Sequence, residues 1–171
     1  MSRVQRVIFT AAAAVILIIS VTSCTEKAPK IPELVTGFSA NADIELGENK
    51  LKCSVSHTEK GISSITVSSP ENLKGLSFKN FGGKYSISYN ELSCETDTLF
   101  LPDSSFAQAI TNVLDKVSEE NGAVYQRSEQ DKAIFTGTSD SGDFTLYADS
   151  KTGAIKKIEI PEINVTAVFK T

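Results

Sequence analysis

A chain of 171 residues has room for one ordinary domain, and a domain of that size buries a core without needing disulfide staples. Its 17 basic and 21 acidic side chains are interleaved, for a net charge of −4 at pH 7. With no basic stripe to neutralise phosphates, nucleic-acid binding is not expected. Nine Phe, four Tyr and no Trp describe a Phe-based core.

The N-terminus comes first. Arg3 and Arg6 give residues 1–6 positive charge without an acid, and Val7 to Ser20 is a nearly unbroken apolar run. This is the build of an export signal. The run is shorter than the roughly 20 apolar residues that cross a bilayer, and Ser20, Thr22 and Ser23 close it. Val21-Thr22-Ser23-Cys24 resembles the lipobox of bacterial lipoproteins. The resemblance implies cleavage between Ser23 and Cys24 and a diacylglycerol on the Cys24 thiol. It also implies an extracytoplasmic domain whose first partner is the membrane surface itself. An uncleaved anchor helix, or an ordinary signal with a chance cysteine, would equally leave the domain outside the cytoplasm. The expected organisation is a signal peptide over 1–23, a tether over 24–33 and one β domain over 34–171. Removing Arg3 and Arg6 leaves 15 basic side chains against 21 acids, so the mature part carries −6.

From Leu34 the residues alternate and turn signals recur, the pattern of an antiparallel sheet. Leu34 to Leu46 predicts a long first strand. Leu51, Cys53, Val55 and His57 share one face of a second, and Ile65 and Val67 mark a third. Pro70 interrupts the sheet, because proline has no N–H to give to a central strand. Leu73 to Lys79 and Tyr85 to Tyr89 predict two more strands. Leu92 and Cys94 fall on the opposite parity, so a bulge is expected near Asn90-Glu91.

Then the period changes. Phe106, Ile110, Val113, Leu114 and Val117 form one helical stripe, predicting a helix over about 104–121. Ser105 and Gln108 have the spacing of a capping box. Gly122 is expected to end the helix in the left-handed conformation. Five short strands follow, over 124–129, 132–138, 143–149, 154–160 and 163–170. Short strands with close turns predict a meander.

The blocks Ser69 to Phe78, Gly83 to Tyr89 and Gly142 to Asp149 resemble a family of small lipoproteins of clostridia-like bacteria. The order of strands, one helix and more strands is also similar to lipoprotein carriers of the Lol type and to mycobacterial lipid-transport lipoproteins. That resemblance implies a mainly β, α+β fold: a strongly curved antiparallel sheet, an open half-barrel, with the helix on its concave face. In such carriers the lined space holds acyl chains. The corresponding lining here is Phe106, Ile110, Val113, Leu114, Leu51 and Val55. The same residues would otherwise simply fill the core.

Reactive groups are sparse. His57 is the single histidine, and one histidine does not build a His-rich metal site. It is expected at a strand end near the Glu59-Lys60-Gly61 turn. With Cys24 acylated, Cys53 and Cys94 remain. They are expected as free thiols, since the second and fifth strands of a plain meander are not neighbours. Glu119-Glu120 and the carboxylates Asp140 and Asp143 suggest helix-end and turn chemistry rather than a catalytic pair. The sequence therefore points to a non-enzymatic, lipid-anchored extracytoplasmic lipoprotein with no cofactor and no metal. It would bind an apolar ligand or a lipidated partner between sheet and helix. The alternative is a filled-core structural or regulatory lipoprotein that docks a protein of the cell envelope.

Overall fold

Alternation along each strand sends every second side chain to one side. In β2 (Asn49–Glu59) Leu51, Cys53, Val55 and His57 are buried, while Lys52 and Ser54 are exposed. In β9 (Gly142–Asp149) and β11 (Val165–Lys170) the buried sets are Phe144, Leu146 and Ala148, and Val165, Ala167 and Phe169. These side chains form one face of a single sheet and need a cover. In this computed structural model, which describes residues 31–96, 101–102 and 105–170, the cover is one α-helix.

The remaining strands are β1 (Phe38–Leu46), β3 (Ile62–Ser69), β4 (Ser77–Phe81), β5 (Lys84–Tyr89), β6 (Leu92–Thr96), β7 (Val124–Glu129), β8 (Lys132–Ser139) and β10 (Ile155–Ile160). The helix α1 (Phe106–Val117) lies between β6 and β7 in sequence. All eleven strands belong to one antiparallel sheet in the order β6-β5-β4-β3-β2-β1-β11-β10-β9-β8-β7. It is open: β6 and β7 are its two edges. The chain steps outward from β1 to β6, resumes after α1 at the far edge, and steps inward until β11 pairs with β1, with Ile44 opposite Ala167. The sheet is therefore two meanders joined by the first and last strands. A half-barrel with one covering helix, as expected, is what the described residues form.

Four local expectations are corrected. The first strand starts at Phe38, because Val35 instead donates its N–H to Gly153 O at 3.0 Å and bridges in parallel to Ala154. Residues 73–79 are not one strand: Glu71–Leu73 is a 3-10 turn and β4 begins at Ser77. The parity change at Asn90-Glu91 is a tight hairpin turn rather than a bulge. Tyr89 pairs with Leu92, and Asn90 takes a φ of 54°. The helix is shorter than 104–121, and Asn121, with φ 60°, takes the left-handed position. Gly122 is needed for space: a Cβ there would stand 1.6 Å from Lys116 O.

At the other end of α1, Ser105 is the N-cap and its hydroxyl accepts from Gln108 N at 3.3 Å. The Gln108 side chain completes no box; it donates to Asn112 Oδ1 at 2.6 Å. Cys24, the whole 1–23 segment and the tether as far as Lys30 lie outside the described residues.

Candidate functional site

The sheet face and the helix stripe meet tightly. Ile110 and Val113 are fully buried, and Leu114, Val55 and Leu51 nearly so, all within one hydrophobic core. Phe106 is half-buried and stands edge-on to Phe78 with ring centres 5.5 Å apart. The structure thus brings the six expected lining residues together as packed core. Near the N-terminal end of α1 a void of about 20 Å³ remains, bordered by Phe78, Leu101, Ala107 and Asn80. That volume holds about one water.

His57 is deeply buried and makes two hydrogen bonds. Nδ1 lies 2.8 Å from Thr36 O, at the entry to β1, and Nε2 lies 2.9 Å from Asp115 Oδ1 on α1. The same carboxylate oxygen accepts from Gly61 N at 3.1 Å, in the β2–β3 turn. One ring therefore ties the start of the domain, strand β2 and the helix together. Nothing about this ring is open to a substrate, so it serves as a clasp. Alternation along β2 marks His57 as inward-facing. Its partner Asp115 carries no such signal, since the two are 58 positions apart.

The opposite side of α1 is polar. Gln108, Asn112, Asp115, Lys116 and Glu119 repeat the i, i+4, i+7, i+8, i+11 spacing of the apolar stripe, two residues on. They form the floor of a cleft of about 300 Å³. Lys60, Asn80 and Tyr85 stand on one lip, and Thr138, Ser139 and Asp140, at the β8–β9 turn, on the other. The lips cover the floor: no residue of α1 from Phe106 to Val117 is fully exposed, and Gln108 is buried.

Burying such groups is costly unless they are paired, and most are. Gln108 Nε2 donates to Asn112 Oδ1, and Asn112 Nδ2 donates to Ser141 Oγ at 3.0 Å. Lys60 and Lys116 both bind Glu119, at 2.6 and 2.8 Å. The hydrogen bond from Lys116, then that from Lys60, pulls the Glu119 carboxyl down to about 2. One group is left over. Asn80 Oδ1 is buried and has no hydrogen-bond partner among the described residues. The spacing of the polar stripe is visible in the sequence; the lips that turn it into a cleft come from strands far apart in the chain.

The other candidates are placed as follows. Cys53 and Cys94 are free, the first buried in β2 and the second exposed on the edge strand β6. Burial pushes the Cys53 thiol up to about 11. Asp143 accepts from Thr138 Oγ1 at 2.6 Å, a bond between directly paired residues of β8 and β9. Among the described residues, no group of three His, Cys, Asp or Glu side chains is arranged to hold a metal ion.

No protein-family model matches this chain, and no curated protein is similar to it in sequence. Among the solved structures distantly similar to it are two. One is an uncharacterized conserved protein from Thermus thermophilus, at 11% identity and a TM-score of 0.46, covering 77% of this chain and 74% of that one. The other is a LolA superfamily protein from Nitrosomonas europaea, at 11% identity and a TM-score of 0.41, covering 84% of this chain and 87% of that one.

Proposed function

We propose that this chain is a non-enzymatic, extracytoplasmic lipoprotein held at the membrane by acylated Cys24. Its domain is a binding module that engages a component of the cell envelope through the polar cleft above α1. The observation that carries this reading is the contrast across the helix. Beneath it, Ile110, Val113 and Leu114 are packed into the core; above it, about 300 Å³ is lined by hydrogen-bonding side chains. Lys60 and Lys116 are paired with Glu119, and Asp115 with His57, which holds these groups in place and suits recognition better than proton transfer.

A second reading keeps an apolar ligand or a lipidated partner between sheet and helix. It is favoured by the void beside Phe78, Leu101 and Ala107, where the N-terminal end of α1 would have to lift.

The test uses photo-crosslinking residues in living cells. Placed at Thr138, on the cleft lip, the probe is expected to trap an envelope component. Placed at Val168, on β11 and away from the cleft, it is expected to trap none. Equal trapping at both positions, or persistence of Cys24→Ala in the membrane fraction, contradicts the reading.

A further inference from the structure

Resting on the cleft reading above, we propose that the cleft takes a neutral, hydroxyl-rich saccharide, bound as one sugar residue or a disaccharide. Lys60 and Lys116 are committed to Glu119, and Asp115 is committed to His57 and Gly61 N. With Asp140 added, two lysines face three carboxylates, so the lining has no excess of positive charge to select an anion.

What remains is a mixture of acceptors and donors. Asn80 is 8% exposed, and its Oδ1 has no partner among the described residues. Asp140, exposed on the far lip, and the half-buried Tyr85 hydroxyl hold no hydrogen bond among the described residues. The ligand must therefore both donate and accept. The floor supplies the other half: the Gln108 amide is locked in place by its bond to Asn112 and has a second N–H to offer. A group that donates to Asn80 or Asp140 while accepting from an amide is a hydroxyl, and several side by side make a sugar. The Tyr85 ring gives an apolar surface beside them, against which the C–H face of a sugar packs. The volume, about 300 Å³, is at the small end of ligand sites, which run roughly 300–1,000 Å³. Burial of the floor and the bond to Asn112 mean that the Gln108 amide is already aimed before anything binds, which reduces the ordering cost.

The experiment is saturation-transfer NMR and calorimetry on the full acylated chain in detergent micelles. The probes are an N-acetylhexosamine disaccharide, a glucose disaccharide and an uncharged tripeptide. One of the disaccharides is expected to bind with a dissociation constant at or below the millimolar range, and the tripeptide is not. Asn80→Ala and Asp140→Ala are expected to weaken that binding at least tenfold while the melting temperature stays within a few degrees. Asn80 also borders the 20 Å³ void, and a lone water there would satisfy Oδ1 without any ligand. In that case Asn80→Ala leaves saccharide binding unchanged, and the assignment is wrong. Binding of the tripeptide in place of both sugars also overturns it. If neither sugar binds but Thr138 still traps one envelope component in cells, the saccharide assignment fails and the docking reading stands. If Thr138 traps nothing as well, both fail.

Discussion

The two sides of α1 are built from the same spacing and do opposite things. Phe106, Ile110, Val113, Leu114 and Val117 point into the apolar face of the sheet. Gln108, Asn112, Asp115, Lys116 and Glu119 point toward lips that stop short of closing. The first set contributes stability through apolar area removed from water, about 1.5–3 kcal/mol per large side chain. The second set mainly pairs with itself and with the walls, which contributes little net energy but fixes positions. A single helix thus separates the apolar packing that holds the domain together from a polar cleft.

That division can be broken most severely from below. Ile110→Ala leaves a cavity in a fully buried site and should cost about 2–5 kcal/mol in urea unfolding. A change in binding at the cleft would follow only as far as folding is lost.

Next comes the clasp between the two sides. His57→Ala strands the Thr36 carbonyl and the Asp115 carboxylate, and should cost about 1–3 kcal/mol. Hydrogen exchange should rise at Thr36, Gly37 and Gly61 together. A rise at only one of these segments would mean that the ring does not couple them.

Smaller effects are expected above the helix. Thr138→Ala removes the hydroxyl that binds Asp143 on an exposed lip and should change stability by less than about 0.5 kcal/mol. A larger loss would show that the lips are part of the core.

The acid limb sharpens the same point. Glu119, ordinarily near 4.5, is held at about 2 by Lys116 and Lys60. Because its folded value is depressed, its contribution is present above 4.5 and is lost as pH falls towards 2. The stability gap between the wild type and Glu119→Gln should therefore shrink as pH falls from 4.5 towards 2. A gap that stays constant over that range means that the two lysines do not hold the carboxylate in solution.

The smallest effect concerns Cys53, raised by burial from 9.0 to about 11. Its contribution is present below pH 9 and fades as pH rises through 11. A thiol reagent at about pH 8 should modify Cys94 quickly and Cys53 only after unfolding.

Much of the sheet is legible in the sequence because alternation is a local property. The five strands after α1 lie within a residue or two of their predicted bounds, and the stripe from Phe106 to Val117 locates the helix. The turn at Asn90-Glu91 reads as a bulge because a hairpin turn and a bulge both shift parity. The pairing of β1 with β11 has no local signal at all; it depends on where the chain re-enters the sheet after α1. The cleft is hidden for the same reason. Asn80 falls just past the predicted strand end at Lys79 but belongs to β4, Thr138 ends the predicted strand 132–138, and Asp140 looks like an ordinary turn residue. Only the tertiary fold brings them over the helix.

The most direct measurement is uptake of a fluorescent fatty acid by the full chain, compared between the wild type and Ile110→Trp. The packed core beneath α1 predicts no saturable uptake by either protein. Saturable one-to-one uptake by the wild type that Ile110→Trp abolishes would place the ligand under the helix and contradict the account.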